Sequence, residues 1–299
     1  MTRMERRNVR NGLLFCAPWL FGFLALQVYP IIYSFYLSMT DYSGFGKAIF
    51  IGLSNFRELF RDATVVLAAY NTLYYTALAV PVGVVVAISL ALAMNQKVKE
   101  VSMYRAILYL PSILPAFAMV YIWILFTNPA YGLLNRIFLF LHLPQIDWIG
   151  DRRFTKLSVV ILAQFGAGNA ALIFLASLRS IPRDLYESAE IDGAGVLRKF
   201  FTITLPMITP IILYDIIWGL SAGLQAFTQA YLMASGGTRG LVGPSNSLMF
   251  YVVYIYKTAF QYSRMGYAAA MALFLFLVSV LIAVGVFKWG RSWVHYESE

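Results

Sequence analysis

Of 299 residues one is cysteine, two are histidine and only 12% carry charge. Cys16 has no partner for an internal disulfide and reads as a small apolar side chain in a hydrophobic run, so neither a disulfide framework nor thiol chemistry is indicated. His142 and His295 stand without a carboxylate or thiol at ligand spacing, which leaves no metal site and no histidine-assisted nucleophile. The single Gly-Lys pair, Gly46-Lys47, is followed by Ala48 and lacks the upstream glycine of a phosphate-binding loop, so the chain is not expected to bind ATP. Asp215 is the only acid inside an apolar run, too little for a two-carboxylate hydrolase or a proton relay. No basic strip interleaved with aromatics offers itself to nucleic acid. No catalytic residue is assigned.

What is abundant is apolar. Hydrophobic residues make up 60% of the chain and mean hydropathy is +0.70, too little polar surface for a soluble globule. A bilayer-spanning helix needs about 20 mostly apolar residues, and six stretches qualify: Leu13 to Met39, Val65 to Met94, Ala106 to Phe126, Leu157 to Leu178, Leu205 to Met233 and Tyr267 to Phe287. None shows the polar alternation of a membrane barrel, and in lipid the backbone must satisfy itself. The expected fold is all-α: a polytopic six-helix membrane domain over residues 13–290, with tails at 1–12 and 291–299. The first run is too long for a signal peptide and carries Pro18, Trp19 and Pro30 without a small-residue cleavage site.

Basic residues set the orientation. Arg3, Arg6, Arg7 and Arg10 precede the first span; Lys97, Lys99 and Arg105 sit in the loop after the second; Arg179, Arg183, Arg198 and Lys199 follow the fourth. By the positive-inside rule that side is cytoplasmic, both termini included, and topology rather than nucleic acid accounts for the net charge of +9. On the outer side, Leu53 to Phe60 has helical apolar spacing behind a Ser54 cap, Asn135 to Leu141 repeats the pattern, and the third outer loop opens on a Gly-rich stretch, Gly236 to Asn246.

Between the fourth and fifth spans, in the loop 180–204, lies Glu187-Ser-Ala189-Glu-Ile-Asp192-Gly193-Ala194 followed by Ile203-Thr-Leu205-Pro206. Asp184 and Glu187 open a helix where acids complement its dipole, Gly193 stops it, and a second short helix runs through Val196 and Phe200 until Leu205-Pro206 restarts a span. Physics alone leaves an ordinary interfacial loop and a docking corner equally open.

These residues resemble the membrane-spanning subunits of bacterial ATP-binding-cassette importers, whose hallmark is E-A-A, three residues, G, nine residues, I-x-L-P. Ser188 and Leu197 depart from it, with Ser for Ala and Leu for a frequent aromatic. The resemblance extends to the sugar-permease branch through Gly52-Leu-x-Asn55-Phe56, Asn71-Thr72, Tyr109-Leu-Pro111, Tyr254 to Phe260 and Gly266 to Ala270. It implies a permease in the cell (inner) membrane that works with a second homologous permease, an extracytoplasmic solute-binding protein that delivers a carbohydrate, and a cytoplasmic ATPase dimer holding ATP and Mg. Glu187, Ala189, Asp192, Gly193, Ala194, Leu205 and Pro206 would dock that ATPase, with Glu187 and Asp192 holding the bend through polar contacts.

For the solute, hydroxyls suit amides and aromatic faces. Gln164 and Asn169 sit with Gly166 and Gly168 in the middle of the fourth span; Gln225 and Gln229, four apart, are expected on one face of the fifth, with Tyr231 beside them. Amides joining neighbouring helices remain an alternative for each. Asp215, near the inner end of its span, is expected to pair structurally, and Gly219-x-x-x-Gly223 to pack helices. A different polar solute, such as a glycerol phosphodiester, or an intramembrane enzyme are the other functional readings. Neither finds its basic or catalytic residues here.

Overall fold

The computed structural model describes residues 2–96, 98–234 and 242–295. Lys97 and the glycines of the third outer loop from Gly236 to Gly240 lie outside them. The described residues are mostly helical. In order come α1 (Arg3–Phe23), which passes through a widened π turn into α2 (Tyr29–Ser38); β1 (Thr40–Asp41) and β2 (Ile49–Phe50); and α3 (Ser54–Leu59), α4 (Ala63–Met94), α5 (Val101–Ile113), α6 (Ala116–Phe126), α7 (Leu133–Phe140) and α8 (Arg152–Gln164). Then follow α9 (Gly168–Ser180), α10 (Arg183–Ile191), α11 (Val196–Lys199), α12 (Leu205–Met207), α13 (Thr209–Leu224), α14 (Thr228–Ala234), α15 (Tyr251–Tyr256) and α16 (Met265–Gly290).

Among the described residues five helical stretches are long and apolar enough to cross a bilayer: Arg7–Ser38, Ala63–Met94, Arg152–Ser180, Thr209–Ala234 and Met265–Gly290. The remaining expected span, Ala106 to Phe126, is not one helix. α5 and α6 meet at 97°, and at about 20 and 17 Å neither reaches across alone. Pro115 is the cause. It offers no N–H, and it forces Leu114 into extended backbone (φ −69°, ψ 139°), which ends α5.

The chain divides into two compact units. In the first (residues 1–62 and 255–276), the helix begins at Arg3, so most of the expected N-terminal tail is helical, and the apolar window of its span has no buried residue. β1 and β2 form a two-residue antiparallel pair, the one departure from an all-α fold among the described residues. The turn beside it explains part of the sequence pattern. Asn55 is buried and its amide donates to the carbonyls of Ser38 and Thr40, both at 2.9 Å. Gly266 donates to Tyr42 O at 2.9 Å, and a Cβ there would collide with the Thr40 carbonyl. Ser54 does not cap α3: it is the first helical residue, and its hydroxyl donates back to Ile51 O.

The second unit (residues 63–254 and 277–299) carries the site. Its core is a cluster of Val84, Ala87, Ala91 and Met94 from α4, Phe174, Leu175 and Leu178 from α9, and Ile208. Small residues let α13 approach α4 closely: a Cβ on Gly223 would meet Thr76 at 2.8 Å, and one on Gly219 would touch Val80 at 3.4 Å, as expected of that glycine pair. The Arg105 guanidinium donates to Met94 O at 2.8 and 2.9 Å, satisfying the end of α4. At its other end Asn71 donates to the carbonyls of Asn246 and Met249, while Thr72 Oγ1 accepts from the Tyr251 amide at 2.8 Å. The Asn-Thr pair thus ties down the segment that leads into α15.

Candidate transport site and docking corner

The loop between α9 and α13 is an ordered corner. α10 ends in a Schellman turn: Gly193 N–H donates to Glu190 O at 3.0 Å, Ala194 N–H to Ala189 O at 2.8 Å, and Gly193 sits at φ +76°. That geometry explains Gly193. Nothing within 4 Å would meet an added Cβ, so glycine is required by backbone conformation and not by crowding within the chain. Ala189 and Ala194 are half-exposed at the turn, and Asp192 caps α10.

The contact that spans the corner differs from expectation. Lys199 Nζ lies 2.6 Å from Glu190 Oε1, joining α11 to α10 and holding the Glu190 carboxyl below its ordinary range. Glu187 and Asp192 are exposed, and their side chains meet no partner among the described residues. Short helices with the chain turning between them leave those two carboxylates pointing off the corner. Nor does Leu205-Pro206 restart the span. The helix that begins at α11 runs through a π turn (Phe200–Thr204), where Leu205 N–H reaches back to Phe200 O, into α12, and the membrane helix opens at Thr209-Pro210 after a break at Ile208. The π turn accommodates Pro206, which has no N–H to give. Inward, the corner is anchored by Tyr186, Ile203, Leu205 and Met207 against the core cluster, with Tyr186 Oη 2.8 Å from Thr204 Oγ1. Outward it presents Ile191, Val196 and Leu197, exposed by 87%, 79% and 74%. Charged helices that leave such apolar side chains uncovered make this face a candidate contact surface.

Within the same unit a cavity of about 380 Å³ opens between α4, α8, α9 and α13. Gln164, Asn169 and Gln229, expected on the solute path, line it, as do Tyr75, Tyr214, Asp215 and Trp218, which the sequence reading did not place there. The fourth span bends into it: α8 ends at Gln164, a tight turn (Phe165–Ala167) follows, and α9 begins at Gly168. A Cβ on Gly168 would lie 2.7 Å from Ser112 Oγ, so glycine lets α9 pack on α5. Gln164 Nε2 donates to Val160 O at 2.7 Å, and Asn169 Oδ1 accepts from Tyr109 Oη at 3.1 Å. The Gln229 amide has no partner among the described residues.

Gln225 and Tyr231 are not among the lining residues. The fifth span is interrupted at 225–227, between α13 and α14, so Gln225 and Gln229 do not share a helical face. Gln225 is exposed and donates to Ser221 Oγ at 3.1 Å, while the Tyr231 ring stacks on Phe227 at 5.0 Å. Asp215 also departs from expectation. It pairs with no described residue and lines the cavity instead. Tyr75, Tyr214 and Trp218 were hidden by their apolar surroundings. The available signal was the i, i+4 spacing of Tyr214 and Trp218, which puts them on one face of α13.

The chain can be set beside known proteins. Residues 79–289 match the family described as the binding-protein-dependent transport system inner membrane component. A probable ABC transporter permease protein, YesP, of Bacillus subtilis (strain 168) is 34% identical over 100% of this chain and 96% of its own length. The arabinooligosaccharides transport system permease protein AraP of the same organism is 31% identical over 91% of this chain and 85% of its own. Among solved structures, one chain of a bacterial ABC transporter involved in the import of the acidic polysaccharide alginate superposes with a TM-score of 0.83 at 25% identity, covering 97% of this chain and 99% of that one.

Proposed function

The chain belongs to the family of binding-protein-dependent transport system inner membrane components, and on that premise we propose that it moves a carbohydrate through the cavity of its second unit under control of the docking corner. It is a multi-pass membrane protein and a transport subunit, not an enzyme. The observation that carries the carbohydrate reading is the cavity lining: three amides and three aromatic rings at membrane depth, with no basic side chain among them. Amides exchange hydrogen bonds with hydroxyls, and ring faces accept the C–H surface of a pyranose. A phosphodiester would need cations that the described lining of this cavity lacks.

The corner is the lever. A cytoplasmic ATPase dimer, which would hold ATP and Mg, receives Ile191, Val196 and Leu197 together with the exposed carboxylates of Glu187 and Asp192. Ala189, Gly193 and Ala194 keep the turn slim enough for close approach, and Leu205 and Pro206 join it to the membrane helix. A second permease completes the cavity wall, and an extracytoplasmic binding protein delivers the solute. The termini and the corner then lie in the cytoplasm, beneath the cell membrane. Energy enters as differential binding, since nucleotide and loaded binding protein shift the cavity outward only to the extent that they bind that state better.

Proteoliposomes carrying the complete transporter test the reading. Uptake of a neutral oligosaccharide is expected only with ATP inside and binding protein outside. Uptake of a glycerol phosphodiester in its place would replace the carbohydrate assignment.

A further inference from the structure

Among the described residues that line the cavity a single side chain is formally charged: Asp215 lines it, and no described Lys, Arg or His does. Its carboxylate forms no hydrogen bond or ion pair with any described residue. The cations on the surrounding helices are engaged or remote. Lys156, eight residues and about 12 Å along α8 from Gln164, sits over the Tyr70 and Tyr74 rings at 4.7 and 4.6 Å and donates to Asn71 at 3.2 Å. Arg179 closes α9, about 15 Å beyond Asn169. Lys288 and Arg291 line a separate depression with Ile217, which lies about 200° around α13 from Asp215.

We propose that Asp215 is the charge filter of this permease, so that the cavity takes neutral or amino-bearing saccharides and disfavours uronates and other anionic ones. The inference rests on the carbohydrate reading above and sharpens it. An ionisable group at membrane depth is costly unless it is paired or in use, and this one has no partner among the described residues. A carboxylate is an acceptor only: it can take the hydroxyls of a vicinal diol, it attracts an ammonium, and it repels a second carboxylate. Apolar walls, including Ala79, Val80 and Ala222, confine that field to the cavity, where salt screens it poorly.

The test reads the field directly and does not depend on which sugar is carried. In a Cys16→Ser background, Ala222→Cys places a thiol in the cavity wall two helical turns from Asp215. The assembled, reconstituted transporter is then treated with cationic and anionic methanethiosulfonate reagents of matched size. The cation-to-anion rate ratio, divided by the same ratio for 2-mercaptoethanol in solution, is expected to exceed about fivefold and to fall close to one when Asp215→Asn is added. A ratio that is unchanged by Asp215→Asn, or already near one because the partner permease supplies a compensating cation, overturns the proposal. Failure of the carbohydrate reading looks different: the ratio stands, but proteoliposomes take up no neutral saccharide.

Discussion

Glu190 and Lys199, nine residues apart, close on each other at 2.6 Å across the Gly193 turn, so the corner between α10 and α11 is held by one ion pair and one Schellman turn. Each element can be removed separately.

Replacing Glu190 by Gln removes the pair and leaves the turn. Hydrogen exchange of the amides from 193 to 199, corrected for intrinsic rate, is expected to quicken by no more than about fivefold, because an exposed pair is screened by water. The pH dependence has a definite sign. The folded carboxyl lies below its ordinary range, so the contribution of the pair is complete above the unfolded value and lost as pH falls through the folded one. The unsubstituted corner is therefore unchanged at neutral pH and loosens only in acid. Faster exchange of the unsubstituted protein between pH 7 and 6 would assign the corner to another group.

The two glutamines of the fifth span should separate. Gln229 lines the cavity, its amide without a partner among the described residues, so Gln229→Leu deletes a hydrogen bond to solute worth about 1 kcal/mol, and uptake is expected to weaken about fivefold. Gln225 is exposed and bonded to Ser221, so Gln225→Leu is expected to alter uptake less than twofold. Equal losses in assembled complexes would mean that the interruption at 225–227 straightens during transport.

This pair also shows where sequence reading stops. Four-residue spacing puts two side chains on one face only while the helix continues, and no proline announces the break after Leu224. The 97° bend at Pro115 did carry its signal, but hydropathy averaged over it. Much of the remainder was legible because it depends on chemistry local in sequence. The glycine stop at Gly193, the close packing at Gly219 and Gly223, and the apolar spans follow from backbone freedom, absence of a side chain and lipid solubility. Long-range pairing was not legible. Glu190 rather than Glu187 meets Lys199 because α11 folds back at one angle, and Asp215 has no partner among the described residues because the cations of the facing helices are engaged, as Lys156 of α8 is with Tyr70, Tyr74 and Asn71, or remote, as Arg179 at the end of α9 is.

Topology offers a third check. Ile191→Cys in the corner and Phe45→Cys in the loop between β1 and β2, both strongly exposed, are expected to react with a membrane-impermeant maleimide from opposite sides, the first only in inverted vesicles and the second only in intact spheroplasts. Both sites reacting from the same side would contradict the six-span arrangement.

The central claim is that the Gly193 corner passes the ATPase cycle to the membrane helices, and solute-stimulated ATP hydrolysis by the fully assembled transporter tests it most directly. Valine at φ +76° is strained, whereas asparagine tolerates that backbone. With subunit stoichiometry verified, Gly193→Val is expected to reduce the stimulated rate by about tenfold or more, equivalent to about 1.4 kcal/mol, while Gly193→Asn keeps most of it. Normal stimulated hydrolysis in a complete Gly193→Val complex would contradict the account.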